Sequence, residues 1–228
     1  MRPEGSLLAG RAIWLVVPPA YFGLQLAVVA AWPVPYEFLH HTVSDLGWTT
    51  CTTEQRPGGV LRSCSPRHAW FNSGGIVLYL LLALGAVLLR GLSTRPRWFV
   101  ALWAVIAVFG IATSLVPGDV SIELHSLLAV PLFLATLAVL VLSAATMRGT
   151  FAGRAAAVTA VISVIGLAGL VLALGGRGPV GLMERLAAET VYLWVFTVAV
   201  VSRGRSSARS APHPVEGRSG GSRAGLPW

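Results

Sequence analysis

The stretch SLLAVPLFLATLAVLVLSAATM, residues 126–147, decides the fold class. It contains no Asp, Glu, Lys or Arg, and it is longer than the roughly 20 apolar residues that a helix needs to cross a bilayer. Similar apolar runs occupy 12–32, 70–89, 98–116, 155–175 and 182–202. The last run is the weakest, because Glu184, Arg185 and Glu189 lie near its start. The sequence therefore predicts an all-α fold, a polytopic membrane bundle of six transmembrane helices.

The overall composition agrees with a membrane protein. Of the 228 residues, 55% are hydrophobic and only 11% are charged, and the mean hydropathy is +0.72. A soluble domain carries about 25% charged residues. The polar surface of this chain is too small to cover a soluble core of this size.

The arginines predict the orientation. All 17 basic residues are arginine, and twelve of them fall on one side of the membrane if the runs alternate. Arginine in short loops favours the cytoplasm, so both termini are predicted to be cytoplasmic in a multi-pass protein of the cell membrane. The basic excess then indicates contact with membrane lipids and no nucleic-acid partner.

This orientation divides the chain into three parts. The cytoplasmic N-terminus would cover 1–11 and the transmembrane domain 12–202, with one large outer loop at 33–69. The segment 203–228 is basic and rich in Ser, Gly and Pro, which is typical of a disordered tail. Seven of the nine acids and four of the five histidines would lie at the outer face. A candidate site is therefore expected on the extracytoplasmic side.

Two cysteines, Cys51 and Cys64, fall in the predicted outer loop. Cysteines outside the reducing cytosol usually pair, so a disulfide is expected. The alternative is a zinc site that also uses His68 and one of the paired histidines, although no C-x-x-C spacing is present.

Three polar groups near helix ends have two interpretations each. Asp119 is placed to cap the helix that follows it, or it belongs to a site. His125 lies deep enough that it needs a hydrogen-bond partner, or it binds a ligand. Glu189 forms an ion pair with Arg185 one turn before it, or it faces His125 or Asp45 across the bundle.

Small residues in the apolar runs predict helix contacts. The pairs Gly23/Ala27 and Gly110/Ser114 are four residues apart, and Gly166 and Gly169 form a further small patch. Such residues let helix backbones approach closely in lipid. Gln25 is a further polar group at depth in the first run, and one hydrogen bond to another helix would satisfy it.

Four short motifs recur in a known order: SDLG at 44–47, FNSGG at 71–75, LVPGD with LH at 115–125, and GLMER at 181–185. In these motifs the chain resembles the bacterial and archaeal membrane proteins of the domain-of-unknown-function family nine-nine-eight. The resemblance covers about residues 12–202. It implies a six-helix integral membrane protein and no established reaction. The motif positions that carry over are Ser44, Asp45, Gly47, Asn72, Asp119, His125, Glu184 and Arg185. The adjacent His40 and His41 belong to none of the motifs and are expected at the rim.

Two functions are compatible with this pattern. In the first, an outer-facing polar pocket binds a lipid headgroup or a small ligand through Ser44, Asp45, Asn72, Asp119, His125, Glu184, Arg185 and Glu189. In the second, the protein is a metal-dependent or acid–base hydrolase that acts on a lipid at the outer leaflet. Zinc, the one cofactor considered, would be held by Asp45, Asp119 and His125. The candidate catalytic residues are Asp45, His125 and Glu189. No protein partner or oligomeric state is predicted.

Overall fold

In a computed structural model the chain is described over residues 4–56 and 59–202. The predicted disordered tail, 203–228, lies outside the described residues. The helices are α1 Glu4–Val29, α2 His68–Leu89, α3 Pro96–Leu115, α4 Ile122–Thr146, α5 Phe151–Leu174, α6 Val180–Ala188 and α7 Thr190–Val201. Short 3₁₀ turns lie at Ser44–Gly47 and Arg90–Leu92.

Five helices, α1 to α5, are long and apolar enough to cross a membrane, and this indicates a multi-pass membrane protein. They correspond to the first five predicted runs, although α1 begins at Glu4, inside the predicted N-terminal segment. The sixth predicted run is divided. At Glu189 the helical pattern breaks, because the Tyr192 N–H donates to the Glu189 carbonyl three residues earlier, at 3.0 Å. Neither α6 nor α7 alone is long enough to span a bilayer.

Successive helices from α1 to α6 pack against each other, and α7 packs against α1 and α5 to close the bundle. Four aromatic rings, Trp14, Phe99, Trp103 and Trp194, form the centre of the core and are fully buried. The indole N–H groups of Trp14 and Trp194 each donate to a backbone carbonyl at 3.1 Å. The outward faces of the helices are apolar and exposed, as expected for a surface that meets lipid.

Several small residues lie at helix contacts, as predicted. A Cβ atom at Gly166 would collide with the α6 backbone at Leu186 and Ala187, and one at Gly110 would collide with the ring of Tyr79. The prediction for Gly23 is wrong, because nothing lies within 4 Å of the place where its Cβ would be. Gly23 is exposed on α1, where no helix covers it.

The long loop between α1 and α2, which we call the outer loop after its predicted side of the membrane, has its own structure. It contains the 3₁₀ turn Ser44–Gly47 and an antiparallel hairpin of β1 Thr52–Arg56 and β2 Gly59–Ser63. The predicted disulfide Cys51–Cys64 is confirmed and joins the open end of the hairpin. Since both sulfurs are used in this bond, the alternative zinc site at the cysteines is wrong. Closing a loop of this length stabilises the fold by about 3 kcal/mol in the chain-entropy model.

Candidate functional site

A groove of about 910 Å³ runs between the first half of α4 and the last half of α5; we call it the α4–α5 groove. Its walls are apolar side chains from both helices, Phe133, Leu134, Leu167, Leu170, Val171 and Leu174. Its other end is polar and is formed by the outer loop, the α3–α4 connection and the start of α6. A second, smaller cavity of about 90 Å³ lies inside the bundle and shares five residues with the groove, the polar Ser44, His125 and Glu184 and the apolar Ala129 and Phe133. The three polar side chains therefore lie where the two spaces meet.

Ser44, His125 and Glu184 form a hydrogen-bonded group, which we call the polar cluster. Nε2 of His125 lies 3.1 Å from Oγ of Ser44, and Oγ of Ser44 donates to Oε1 of Glu184 at 2.9 Å. The second oxygen of Glu184 accepts the backbone N–H of Val43. Glu184 is buried, whereas Ser44 and His125 are partly exposed. Three elements distant in sequence thus meet at one serine hydroxyl.

The orientation of the His125 ring follows from its other nitrogen. Nδ1 lies 2.7 Å from the carbonyl oxygen of Val116, and a carbonyl can only accept, so Nδ1 carries the proton. Two proton arrangements then satisfy the polar cluster. In one, His125 is cationic and donates to Ser44, which donates to an ionised Glu184. In the other, Ser44 donates to neutral His125 and accepts from a protonated Glu184. Both arrangements hold the same number of protons, so the hydroxyl of Ser44 can exchange a proton with either neighbour.

The turn that carries Ser44 is fixed by hydrogen bonds within and below it. Oδ2 of Asp45 accepts the N–H of Thr42 at 2.9 Å, and Oγ1 of Thr42 accepts the N–H of Asp45 at 3.2 Å. Below the turn, Nδ2 of Asn72 donates to the carbonyl of Gly47 at 2.9 Å. A Cβ atom at Gly47 would collide with the Asn72 amide. Asp45 and Asn72 therefore position the turn, and Gly47 permits the approach of α2.

Arg185 holds the preceding part of the outer loop on α6. Its Nη1 donates to the carbonyls of His41 at 2.8 Å and Phe38 at 3.2 Å, and its Nη2 donates to the hydroxyl of Tyr36. Burial raises the pKa of Tyr36, although the charge and hydrogen bond of Arg185 oppose this shift. The phenol stays neutral and donates to the carbonyl of Thr42 at 3.0 Å. Gly181 completes this contact, since a Cβ there would collide with the His41 carbonyl.

Asp119 anchors the far side of the loop. Its Oδ2 accepts hydrogen bonds from the backbone N–H and the hydroxyl of both Thr49 and Thr50, at 2.8–2.9 Å. Burial acts to raise the pKa of Asp119, but these four hydrogen bonds outweigh it and hold the pKa below its ordinary value. The helix cap predicted for Asp119 is instead Ser121, whose Oγ accepts the N–H of Leu124.

Glu189 lies apart from the polar cluster. Its Oε1 accepts hydrogen bonds from Nε2 of Gln25 at 2.6 Å and from the hydroxyl of Tyr21 at 3.1 Å, both on α1. The interhelical hydrogen bond predicted for Gln25 is present. The sequence suggested that Glu189 pairs with Arg185 or faces His125 or Asp45, and neither interpretation describes this arrangement. The hydrogen bonds of Glu189 instead join α1 to the break between α6 and α7.

The three candidate zinc ligands do not form a metal-binding group. Among the described residues, no three His, Cys, Asp or Glu side chains are placed to hold one ion. Asp45 bonds to its own turn, Asp119 to the threonines, and His125 to Ser44 and Val116. Of the paired histidines, His41 is buried and stacks on Tyr36, while its Nδ1 accepts the N–H of Glu37 at 2.9 Å.

The walls of the groove and the backbone partners of the site were not among the residues predicted from the sequence. On α5, Leu167, Leu170, Val171 and Leu174 follow the spacing of one helix face. The sequence shows that spacing. Because α5 is apolar on all sides, however, the sequence does not distinguish this face from one that meets lipid. The Val116 carbonyl carries no signal in the sequence.

Comparison with known proteins agrees with the resemblance seen in the motifs. A family model described as "Protein of unknown function (DUF998)" matches residues 15–201. No curated protein and no solved structure matches the chain. The match covers most of the chain and all four motifs, so the chain belongs to the DUF998 family of proteins of unknown function.

Proposed function

We propose that this protein binds a lipid at the outer leaflet, with the headgroup at the polar cluster and the hydrocarbon chain in the α4–α5 groove. The observation that carries the proposal is the continuity of the groove, because one space joins buried hydrogen-bonding groups to an apolar wall on lipid-facing helices. Ligand sites combine an apolar lining with a few placed polar groups in this way.

The proposal includes an orientation in the membrane. Together, α6 and α7 extend from Val180 to Val201, long enough for a sixth crossing despite the break at Glu189. Six crossings bring both termini to the cytoplasmic side, where arginines are most frequent. The polar cluster then faces the extracytoplasmic side of a bacterial plasma membrane.

Filling the groove tests lipid binding. We expect Leu170→Trp to reduce the lipid retained by the detergent-purified protein about tenfold, because the indole would occupy space between α4 and α5. Native mass spectrometry measures the retained lipid. The matched control is Leu172→Trp, since Leu172 lies two residues away and is 55% exposed outside the groove. Equal lipid retention in the two variants would contradict the proposal.

The geometry of Ser44 and His125 favours a second candidate function, acyl transfer from a lipid ester. Oγ of Ser44 would attack the ester carbonyl carbon while Nε2 of His125 accepts its proton. As the C–O bond to the alcohol breaks, His125 returns that proton to the leaving oxygen, and water then hydrolyses the acyl-serine with His125 again as base. The specific support is the Val116 carbonyl, which leaves Nε2 available toward Ser44.

Covalent labelling tests this second candidate. We expect a fluorophosphonate probe to label the wild-type protein in detergent and not to label Ser44→Ala. His125→Gln should slow labelling by about 100-fold or more, since it removes the general base. Ser73→Ala is the control, because Ser73 is exposed on α2 and donates only to its own helix. Labelling that persists in Ser44→Ala would exclude Ser44 as the nucleophile.

A further inference from the structure

Apart from His125, the ionisable side chains of the described residues at the polar end of the α4–α5 groove are all acidic. Five of the nine acids of the chain line it: Asp45, Glu54, Asp119, Glu123 and Glu184. Among the described residues that line the groove there is no arginine, although the chain has 17. Arg185 follows Glu184 in sequence, but its guanidinium donates to the loop carbonyls and Tyr36. The mouth is therefore acidic within a chain whose formal net charge is +8.

The acids occupy different elements around the mouth. Glu54 lies on β1, Asp119 in the α3–α4 connection, and Glu123 in the first turn of α4, where it is exposed. Asp119 is ionised at neutral pH, because its hydrogen bonds hold its pKa below the ordinary value. Asp45 and Glu184 lie deeper and are buried. A ligand group that enters from this end passes the exposed Glu123 and the partly exposed Glu54 and Asp119 before it reaches the polar cluster.

The amino end of α4 carries a partial positive charge into this mouth, and that charge is already neutralised. Ser121 accepts the N–H of Leu124, and Glu123 in the first turn opposes the partial positive charge of the helix end. An anionic headgroup would therefore meet carboxylates without an arginine fork to bind it. A cationic headgroup would meet several carboxylates, and these would offset the free-energy cost of removing its charge from water.

We propose that the occupant of the groove is an amphiphile with an ammonium headgroup and a hydrocarbon chain. This inference rests on the proposed lipid-binding function and adds the charge of the headgroup. The apolar walls bind the chain, and the acidic mouth selects the cation over an anion of the same length by charge complementarity.

Spin-labelled amphiphiles test this selection. Two doxyl-labelled hexadecyl chains, one with a trimethylammonium and one with a sulfate headgroup, are added to the full-length protein in phosphatidylcholine vesicles. Electron paramagnetic resonance measures the immobilised fraction of each probe. We expect the protein to immobilise the ammonium probe at least about fivefold more strongly, the effect of roughly one unit-charge contact in a solvated site.

Three variants separate the possible results. Glu123→Gln should reduce the preference for the ammonium probe, whereas Glu37→Gln should not, since Glu37 is exposed like Glu123 but lies in the outer loop and does not line the groove. Leu170→Trp should reduce the immobilisation of both probes. Equal binding of both probes, or preference for sulfate, with Leu170→Trp still effective would overturn the ammonium proposal and leave lipid binding intact. Immobilisation that Leu170→Trp does not change would overturn both.

Discussion

Replacing Glu184 by leucine is expected to detach the outer loop from α6. Glu184 is buried and accepts two hydrogen bonds from the loop, from the Val43 N–H and from Oγ of Ser44. Leucine has a similar size but no acceptor, so the buried Val43 N–H would be left without a partner. Such a loss costs about 1–3 kcal/mol for each group. We expect Glu184→Leu to destabilise the protein by about 3 kcal/mol or more.

Thermal unfolding in detergent measures the destabilisation, and hydrogen–deuterium exchange at the Val43 amide locates it. Glu184→Gln should have a smaller effect, because its amide oxygen can still accept one of the two bonds. Glu37→Gln is the matched surface control, and exposed substitutions of this kind change stability by about 0.5 kcal/mol or less. Unchanged exchange at Val43 in Glu184→Leu would mean that Glu184 does not hold the loop.

The apolar helices were predictable because a bilayer imposes one simple requirement, a long run without charges. The same requirement could not predict the break at Glu189. At that break the carboxylate of Glu189 meets its partners, Tyr21 and Gln25, on α1. Tyr21 and Gln25 are four residues apart on one helix face, so the sequence indicates a polar contact at that face. The sequence does not indicate that Glu189 is the residue that makes this contact.

Glu184 and Glu189 illustrate the limit for the candidate site. Five residues apart on a helix, they are turned about 140° from each other, so the sequence indicates that they face different neighbours. It does not indicate which neighbour each one meets. In the structure Glu184 meets the outer loop and Glu189 meets α1. The three residues of the polar cluster all lie at motif positions, while packing determined the hydrogen bonds between them.

Substitution of alanine for glycine is expected to have opposite effects at Gly166 and Gly23. A methyl group at Gly166 would collide with the α6 backbone at Leu186 and Ala187, which cannot move as a flexible side chain can. Next to this contact, Oγ of Ser163 donates to the Ala187 carbonyl at 2.8 Å. Gly166→Ala should therefore push α6 from α5 at a cost of about 2 kcal/mol or more. At Gly23 the space is open, and alanine should stabilise α1 by about 0.5–1 kcal/mol.

The Gly166 substitution also tests whether the position of α6 sets the polar cluster. Glu184 lies on α6, so a shift of that helix away from α5 would move both oxygens that hold Val43 and Ser44. We expect faster exchange at the Val43 amide and a lower unfolding temperature in Gly166→Ala, and neither change in Gly23→Ala. A destabilised Gly166→Ala with unchanged exchange at Val43 would show that the loop keeps its own position. In that case the outer loop, closed by its disulfide, would fix Ser44, and α6 would follow it.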